Sequence, residues 1–392
     1  MKITPKTRIM NRLFVFAFSV LACTISFAQQ ALWGGQNSTS PEIHDNNTVT
    51  FRLKAPKAVK VELIGDFLSS QVELKEGKEG VWEYTTPEPL GSELYSYSFI
   101  VNGLKTTDPN NVYIIRDVAS VTNVFIIGGG RADLYKVNAV PHGTLAHRWY
   151  NSPTLGKERR ITIYTPPGYE TNKESYPVFY LLHGMGGDEE AWITLGRAVQ
   201  ILDNLIAQGK AKPMIVVMTN GNAAQEAAPG ESSLGLYKPT SQLPQTMEGS
   251  MELSFPDVVK FIDSNYRTIK KKAGRAIAGL SMGGFHSLHI SKQYPDMFDY
   301  VGLFSAAIRP NQNVQSPVYD DIEGKLKIQF AKNPKLYWIA IGKTDFLYNA
   351  NTEYRKLLDG KGYKYVYYEN EEGHIWKNWR IYLSEFTPLL FR

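Results

Sequence analysis

The sequence predicts a small all-β unit followed by a larger α/β unit whose central sheet is mostly parallel. From about residue 48 to 127, short alternating apolar segments are separated by turn residues, which is typical of an antiparallel, immunoglobulin-like sandwich. From about residue 137, strand-like runs alternate with helix-like runs, a pattern that favours parallel strands joined by right-handed crossovers. Gly128-Gly129-Gly130 separates the two patterns and is expected to act as a hinge. We therefore place the sandwich at residues 40–128 and the α/β unit at residues 137–392.

The first 28 residues have the composition of an export signal. Four basic residues precede an apolar stretch from Leu13 to Leu21, and Ser26-Phe27-Ala28 fits a small-x-small cleavage site. The apolar stretch is too short for a membrane span. We expect residues 1–28 to be removed and the mature protein to be exported, either to a periplasm or out of the cell. An alternative is a lipid anchor on Cys23, because Val20-Leu21-Ala22-Cys23 resembles a lipobox.

Charge and cysteine content narrow the classes of function. Removing the four basic residues of the signal, which contains no acid, lowers the net charge from +5 to +1. A nearly neutral chain does not indicate a nucleic-acid surface. Cys23 is the one cysteine of the sequence, so the mature chain offers no disulfide, no cysteine nucleophile and no Cys–metal site. We expect no metal and no other cofactor, and the sequence indicates no particular oligomeric state.

Gly279-Leu280-Ser281-Met282-Gly283 places a serine between glycines at a strand-to-helix junction. The apolar run before it, residues 275–278, predicts a buried strand, and residues 285–290 contain no helix breaker. Glycines on both sides leave room for the crossing of strand and helix. The hydroxyl is then expected above the sheet edge, where the helix N-terminus favours an oxyanion. This pattern predicts a nucleophile elbow at Ser281, and the alternative is an ordinary strand-to-helix loop.

A serine nucleophile requires a general base and an orienting carboxylate, which in this arrangement follow in the order Ser, Asp or Glu, His. His374 follows a strand-like aromatic run, residues 363–368, and is predicted as the base because such loops assemble sites in α/β sheets. Asp345 follows the apolar run at residues 336–342 and is predicted as the acid. The alternative role for Asp345 is a helix N-cap. His286 and His289, on the helix after the elbow, are expected in the core or on a face of that helix rather than as the base.

Backbone N–H groups of Met282 and Met185 are the predicted oxyanion donors. Met282 follows the nucleophile, and Met185 lies in the glycine-rich loop His183-Gly184-Met185-Gly186-Gly187 after an apolar strand-like run. The glycines allow the backbone to approach a substrate oxygen closely. His183 precedes the serine in the chain and is expected to hold this loop through hydrogen bonds. No G-K-[ST] follows the glycines, so the run is not a phosphate loop.

Further stretches of the α/β unit match one family specifically. They are Leu182 to Asp188 with Trp192, Asp203-Asn204-Leu205-Ile206-Ala207 with Gly209-Lys210, Ala276 to Gly284, Ile341-Gly342 with Asp345, and Gly373-His374 with Trp376. On these stretches, residues 140–392 resemble the esterase D-type α/β-hydrolases of carbohydrate esterase family 1, the feruloyl and acetylxylan esterases. Through Tyr97-Ser98-Phe99, Val101-Asn102-Gly103 and Asp108-Pro109, the sandwich resembles the family-48 carbohydrate-binding modules.

The resemblance implies a function and leaves two alternatives open. It supports Ser281, Asp345 and His374 as a triad in an exported serine esterase that removes ferulate or acetate from plant cell-wall xylan through an acyl-enzyme. A siderophore esterase of the enterobactin type is the first alternative, because such enzymes also combine a sandwich with a similar hydrolase. The second is a non-catalytic glycan-binding protein. Residues 220–250 and 310–333 match the family less closely, so the resemblance leaves the substrate open.

Aromatic residues supply the candidates for substrate binding. Trp192, Tyr237 and Trp376 are predicted to line an aromatic acyl pocket, and Trp376 is equally suited to the core. Four rings of the sandwich have the amphipathic faces that stack on sugars, namely Trp82, Tyr84, Tyr95 and Tyr97. Because alternate positions of a sandwich strand face the core, we expect most of these four to be packing residues. The sandwich would then cover one side of the cleft without binding glycan itself.

Overall fold

The computed structural model describes residues 38–241 and 243–392. The predicted export signal, including Cys23, lies outside this range. The described chain forms two antiparallel sheets followed by an α/β unit with an eight-stranded central sheet. This architecture confirms the predicted fold class, an α/β-hydrolase with a mostly parallel sheet preceded by an all-β sandwich. None of the helices in the described ranges combines the length and apolar character needed to cross a bilayer.

The sandwich packs two sheets around an aromatic core. Its strands are β1 (Glu42–Ile43), β2 (Val49–Lys54), β3 (Val61–Gly65), β4 (Val72–Glu73), β5 (Lys75–Glu76), β6 (Val81–Thr85), β7 (Glu93–Val101), β8 (Leu104–Thr106), β9 (Ile114–Asp117) and β10 (Ser120–Ile127). One sheet has the order β1-β2-β6-β5, and the other has the order β4-β3-β7-β10-β9 with β8 on β7. Phe51 lies between them, with ring centroids 4.8 Å from Tyr97 and 5.6 Å from Phe125. Trp82 and Tyr97 are therefore core residues, whereas Tyr84 and Tyr95 are only partly buried.

The central sheet is mixed, with two antiparallel pairings at one side. Its strands are β11 (Thr144–Ser152), β12 (Lys157–Thr165), β13 (Val178–Leu182), β14 (Ile215–Thr219), β15 (Arg275–Leu280), β16 (Tyr300–Phe304), β17 (Leu336–Gly342) and β18 (Val366–Asn370). Their order is β11-β12-β14-β13-β15-β16-β17-β18, antiparallel as far as β14 and parallel beyond it. The parallel strands therefore end at a common edge, and the loops after β13, β15, β17 and β18 meet there.

Helices cover both faces of this sheet. They are α1 (Ala191–Thr194), α2 (Ala198–Ala207), α3 (Ser250–Asn265), α4 (Met282–Gln293), α5 (Ile322–Ala331), α6 (Tyr348–Gly360) and α7 (Trp376–Phe386). Alternate residues of β13 face the two layers: Phe179 packs in the cluster that includes α2 and α7, and Tyr180 in the cluster that includes α3 and α6. The helices α1 and α2 are separate, because Arg197 adopts a left-handed φ of 53° between them.

The two units are tied together by buried polar contacts. Residues 131–135 follow the glycine run as a 3₁₀ helix, and Tyr135 is fully buried in the core of the α/β unit. Glu93 of β7 lies 3.0 Å from the guanidinium of Arg380 on α7, with both side chains about 3% exposed. Arg380 also donates to the carbonyl of Leu195. The expected hinge is thus followed by a packed segment, and a buried ion pair fixes the sandwich against α7.

Candidate active site

Ser281 occupies a strained turn between β15 and α4. Its φ is 52° and its ψ is −112°, a conformation that costs a non-glycine residue of order 1–3 kcal/mol. Hydrogen bonds to the neighbouring strand β16 and to the loop after it hold this turn: Ser281 N–H donates to Phe304 O at 2.9 Å, and Ala307 N–H donates to Ser281 O at 3.0 Å. The N–H and the carbonyl of Ser281 are therefore both hydrogen-bonded, and these bonds fix the backbone that presents the hydroxyl.

Two glycines make this crossing sterically possible. A Cβ atom on Gly279 would lie 2.4 Å from the carbonyl carbon of Gly283, and one on Gly283 would lie 2.4 Å from the carbonyl oxygen of Leu182. Helix α4 can pass this close to β13 and β15 only without side chains at these positions. The glycines that indicated an elbow in the sequence are thus required because any larger side chain would clash with the crossing backbone.

The three side chains predicted as a triad meet at the carboxyl edge of the sheet. His374 Nε2 lies 3.0 Å from Ser281 Oγ, and His374 Nδ1 lies 2.9 Å from Asp345 Oδ2. The side chain of Asp345 is fully buried, whereas that of His374 is 17% exposed. In the tautomer that suits both contacts, Nδ1–H donates to the carboxylate and Nε2 accepts from the serine hydroxyl. This arrangement can transfer a proton from Ser281 to His374.

Asp345 is held as a carboxylate. Burial alone favours its neutral form, but hydrogen bonds from His374 and from the Leu347 N–H at 2.8 Å outweigh burial and lower its pKa. The bond to Leu347 closes a turn ahead of α6 and is not the helix N-cap considered as the alternative, because Leu347 itself is the N-cap of α6 and no side chain caps this helix. Oδ1 of Asp345 thus accepts from the turn, and Oδ2 accepts from the imidazole.

The residues of both predicted oxyanion donors line the same cavity as Ser281. Met282 is the first residue of α4, where backbone N–H groups have no partner within the helix. Met185 is half-exposed in the loop after β13, which closes through a hydrogen bond of 3.1 Å from Gly187 N–H to Gly184 O. Asn222 Nδ2 also donates to Gly187 O at 2.9 Å. The structure thus brings Met185 and Met282 to the cavity that contains Ser281.

His183 holds the loop after β13, residues 184–188 (the oxyanion loop), through hydrogen bonds of its imidazole ring. Its Nδ1–H donates to Gly184 O and its Nε2 accepts from Gly221 N–H, each at 2.7 Å. Burial lowers the pKa of His183 to about 4, so the ring is neutral at physiological pH and keeps one donor and one acceptor. This is the loop-holding role expected from the sequence.

The other two histidines downstream of the elbow are fully buried in the core. His286 Nδ1 lies 2.9 Å from a carboxylate oxygen of Glu252 on α3. The His289 ring packs against Phe285, with centroids 4.2 Å apart. Neither histidine is among the residues that line the cavity, as expected from their positions on α4.

The cavity in front of Ser281 has a volume of about 610 Å³ and mainly apolar walls. Besides Ser281 and His374, its walls include Met185, Met247, Leu280, Ala307, Phe346, Leu347, Trp376 and Trp379. Phe346 is 75% exposed, and its ring centroid lies 4.4 Å from that of His374. The cavity is large enough for an aromatic acyl group beside the serine.

Of the three aromatic residues predicted to bind substrate, only Trp376 lines the cavity. Trp192 is 1% exposed, donates from Nε1 to Leu182 O at 2.9 Å and packs edge-on to Trp376 from behind. Tyr237 donates to Ala227 O at 3.2 Å, which holds its ring outside the cavity lining. The predictions for Trp192 and Tyr237 as wall residues are therefore wrong, because each ring is held by a backbone carbonyl elsewhere.

Several wall residues were missed in the sequence. Phe346 follows the predicted acid directly, and that position was a usable signal. Arg116, Asp117 and Val118 enter the cavity from the sandwich, at the end of β9, and no local pattern marks them. A second cavity of about 300 Å³ lies between the units and shares Asp117, Leu195, His374, Trp376 and Trp379 with the first. Its other lining residues include Asp66, Tyr95, Ser96, Ile375 and Lys377.

Comparison with known families gives a match for each unit. Residues 152–389 match the model described as putative esterase, and residues 36–114 match the model of carbohydrate-binding module 48, the isoamylase N-terminal domain. Both matches confirm the resemblance carried by the sequence motifs.

Among curated proteins, the chain is 31% identical over 283 residues to an endo-1,4-β-xylanase/feruloyl esterase of Xylanibacter ruminicola. That alignment covers 71% of this chain and 37% of the relative. The chain spans about two fifths of the length of the first curated relatives that it matches.

Solved structures share the fold at low identity. A ferulic acid esterase of Anaeromyces mucronatus in complex with ferulic acid has a TM-score of 0.56 at 23% identity, covering 67% of this chain and 96% of that one. The enterobactin esterase of Shigella flexneri has a TM-score of 0.61 at 16% identity, covering 88% of this chain and 93% of that one. The second similarity extends over both units of the fold.

Proposed function

This chain belongs to the putative esterase family, and from that premise we propose that it is a serine esterase acting on feruloyl or acetyl esters of plant cell-wall xylan. The observation that carries the proposal is the contact chain from Ser281 Oγ through His374 to Asp345, with distances of 3.0 and 2.9 Å. It faces a mainly apolar cavity between two candidate oxyanion donors.

The geometry supports a two-step acyl transfer. Ser281 Oγ attacks the ester carbonyl while His374 Nε2 takes the hydroxyl proton, and the N–H groups of Met185 and Met282 stabilise the oxyanion. The tetrahedral intermediate then breaks its bond to the alcohol oxygen, which receives the proton from His374. Water attacks the acyl-enzyme with His374 as base, and the carboxylic acid leaves with the serine hydroxyl restored. Asp345 stays ionised throughout and stabilises the imidazolium.

The two cavities suit the two sides of a feruloyl glycan ester. The cavity at Ser281 has apolar walls, with Phe346 and Trp376 as planar surfaces for an aromatic acyl group. The adjoining cavity offers Asp66 and Lys377, whose charged groups suit sugar hydroxyls. The curated relative named as a xylanase and feruloyl esterase, together with the carbohydrate-binding-module match, supports a polysaccharide substrate.

One specific observation favours a second candidate function. The similarity to the enterobactin esterase covers 88% of this chain and so includes the sandwich. A siderophore esterase would use the same triad on a different ester. A non-catalytic glycan-binding role is disfavoured, because a binding protein has no need of the assembled proton-transfer geometry.

The experiment compares methyl ferulate, acetylated xylan and enterobactin as substrates for one purified preparation of the wild type and of Ser281→Ala. We expect turnover of the first two and a loss of about 10⁵-fold or more in kcat for the variant. Preferred cleavage of enterobactin would replace the substrate proposal, and activity retained by Ser281→Ala would remove the elbow assignment.

We also propose that the protein is exported after cleavage behind Ala28. Mass spectrometry of the protein from its native host should find Gln29 at the N-terminus. An N-terminal diacylglyceryl Cys23 would instead establish the lipid anchor.

A further inference from the structure

The end of β9 reaches from the sandwich to the oxyanion loop of the hydrolase. Residues 116–118, which we call the sandwich turn, line the cavity that holds Ser281. The oxyanion loop, residues 184–188, packs directly against this turn and lines the same cavity with Met185. The hydrolase itself holds this loop through His183 and Asn222.

Arg116 clamps the far end of the oxyanion loop. Its Nη2 lies 2.6 Å from Asp188 Oδ2, and its Nη1 donates to Val118 O at 3.0 Å. The Asp188 side chain is 2% exposed, and its Oδ1 accepts the N–H of Glu190 at 3.0 Å. One guanidinium therefore joins the sandwich turn to a buried carboxylate that ends the loop. Charge-assisted bonds of this length are among the stronger hydrogen bonds in proteins.

Val118 presses on the middle of the same loop. Its φ of 51° is an unfavourable backbone conformation for a β-branched residue. A Cβ atom on Gly186 would lie 2.6 Å from Val118 Cγ2, so the valine methyl occupies the space that a side chain on this residue would need. Gly186 itself has a φ of 78° and directly follows Met185. The strained valine thus covers the peptide next to the proposed donor.

We propose that Arg116 and Val118 are positioning residues for the oxyanion hole, holding the glycine-rich loop so that the Met185 N–H is aimed at the tetrahedral intermediate. This inference rests on the proposed esterase function. A glycine-rich loop has many accessible conformations, and a donor stabilises an oxyanion best when its direction is fixed before the reaction. The sandwich therefore contributes to the chemical step itself, even for an ester too small to touch the glycan side of the cleft.

The test uses 4-nitrophenyl acetate, a small soluble ester, with Arg116→Ala, Val118→Gly and Arg116→Lys. We expect kcat to fall by about 10- to 100-fold in the first two variants, with KM within about twofold, because the loss concerns the transition state. Arg116→Lys should recover part of kcat, since it keeps the charge but not the fork geometry. The inhibition constant of phenylboronic acid, which forms a tetrahedral adduct on serine, should rise by a factor similar to the fall in kcat/KM.

Arg52→Ala is the matched control, because Arg52 forms ion pairs with Glu42 and Glu83 within the sandwich. It should leave kcat unchanged. Unchanged kcat and boronate affinity in both Arg116→Ala and Val118→Gly would overturn the proposal. If Arg116→Ala does not fold, Val118→Gly alone decides. Failure of the wild type to hydrolyse any ester would instead overturn the esterase function, so the two failures are distinguishable.

Discussion

Two strained residues face the same cavity from different units of the molecule. Ser281 has a φ of 52° at the end of β15, and Val118 has a φ of 51° at the end of β9. Neither is a glycine, and each is held by contacts with neighbouring elements. The serine presents a hydroxyl to the cavity, whereas the valine presents only methyl groups to the oxyanion loop packed against it.

The difference lies in what maintains each strained conformation. At Ser281 the support comes from the hydrolase alone, through glycines that let α4 cross the sheet and through bonds to the strand beside it. At Val118 the support crosses between units, through Arg116 and Asp188. Strained backbone persists only where the surroundings over-determine it. One site is therefore built from a strained residue that its own unit supports, Ser281, and from another that the other unit supports, Val118.

The largest predicted effect concerns the hydrolase side of this comparison. Asp345→Asn should lower kcat/KM by about 10⁴-fold, because the amide favours the wrong imidazole tautomer and no longer stabilises the imidazolium. Steady-state kinetics with methyl ferulate measure this effect, and circular dichroism confirms the fold.

Asp321→Asn is its control, because Asp321 accepts from Gly324 N–H at the start of α5 without contacting the cavity residues. Asparagine also caps helices well, so its activity should equal that of the wild type. A comparable loss in both variants would mean that Asp345 acts through folding alone.

The next effect distinguishes the two residues that support the oxyanion loop, His183 and Arg116, by the pH dependence of the free energy of unfolding. Burial lowers the pKa of His183 to about 4, below the ordinary value of 6.5, so the unfolded chain binds more protons than the folded one between these values. The free energy of unfolding should therefore fall by about 3 kcal/mol as pH decreases from 6.5 to 4.

Urea unfolding at a series of pH values measures this loss. In His183→Gln the free energy of unfolding should not show this fall between pH 6.5 and 4. Arg116→Lys changes the contact from the sandwich, and its free energy of unfolding should depend on pH as in the wild type. Parallel curves for the wild type and His183→Gln would show that His183 is not the group responsible.

A smaller effect distinguishes the tryptophan on the cavity wall from the one behind it. Trp376→Ala should raise KM for methyl ferulate about 10-fold and leave KM for 4-nitrophenyl acetate nearly unchanged, because the lost contact is with the aromatic acyl group. Trp192→Phe should leave both KM values unchanged but lower the free energy of unfolding by about 2 kcal/mol. A raised KM for methyl ferulate in Trp192→Phe but not in Trp376→Ala would show that Trp192, and not Trp376, contacts the substrate.

The smallest effect measures the strain itself. Ser281→Gly and Val118→Gly should each raise the free energy of unfolding by about 1 kcal/mol or less, because relief of a positive φ is partly offset by the greater freedom of glycine in the unfolded chain. Thermal unfolding detects the shift. Marked destabilisation at either position would show that its contacts outweigh the strain.

Much of the site was accessible from the sequence because its residues follow strands. Ser281, Asp345 and His374 each come after an apolar or aromatic run, and the carboxyl ends of parallel strands meet at one edge. Phe346 stands beside the acid and was overlooked. Trp192 and Tyr237 were misassigned because a ring in a matching motif or a nearby loop does not reveal which way it points.

The order of the motifs along the chain was sufficient to predict the α/β fold, the elbow and the partners of Ser281. Strands and helices have characteristic periodicities, and a tight crossing requires glycine, so both leave a pattern among residues that are close in the sequence. Only the tertiary structure decided that the sandwich reaches the oxyanion loop through Arg116 and Val118. That contact joins residues 72 positions apart, Arg116 and Asp188, in different units. The direction of a side chain across an interface depends on how two surfaces pack, and packing of that kind leaves no periodicity in the sequence.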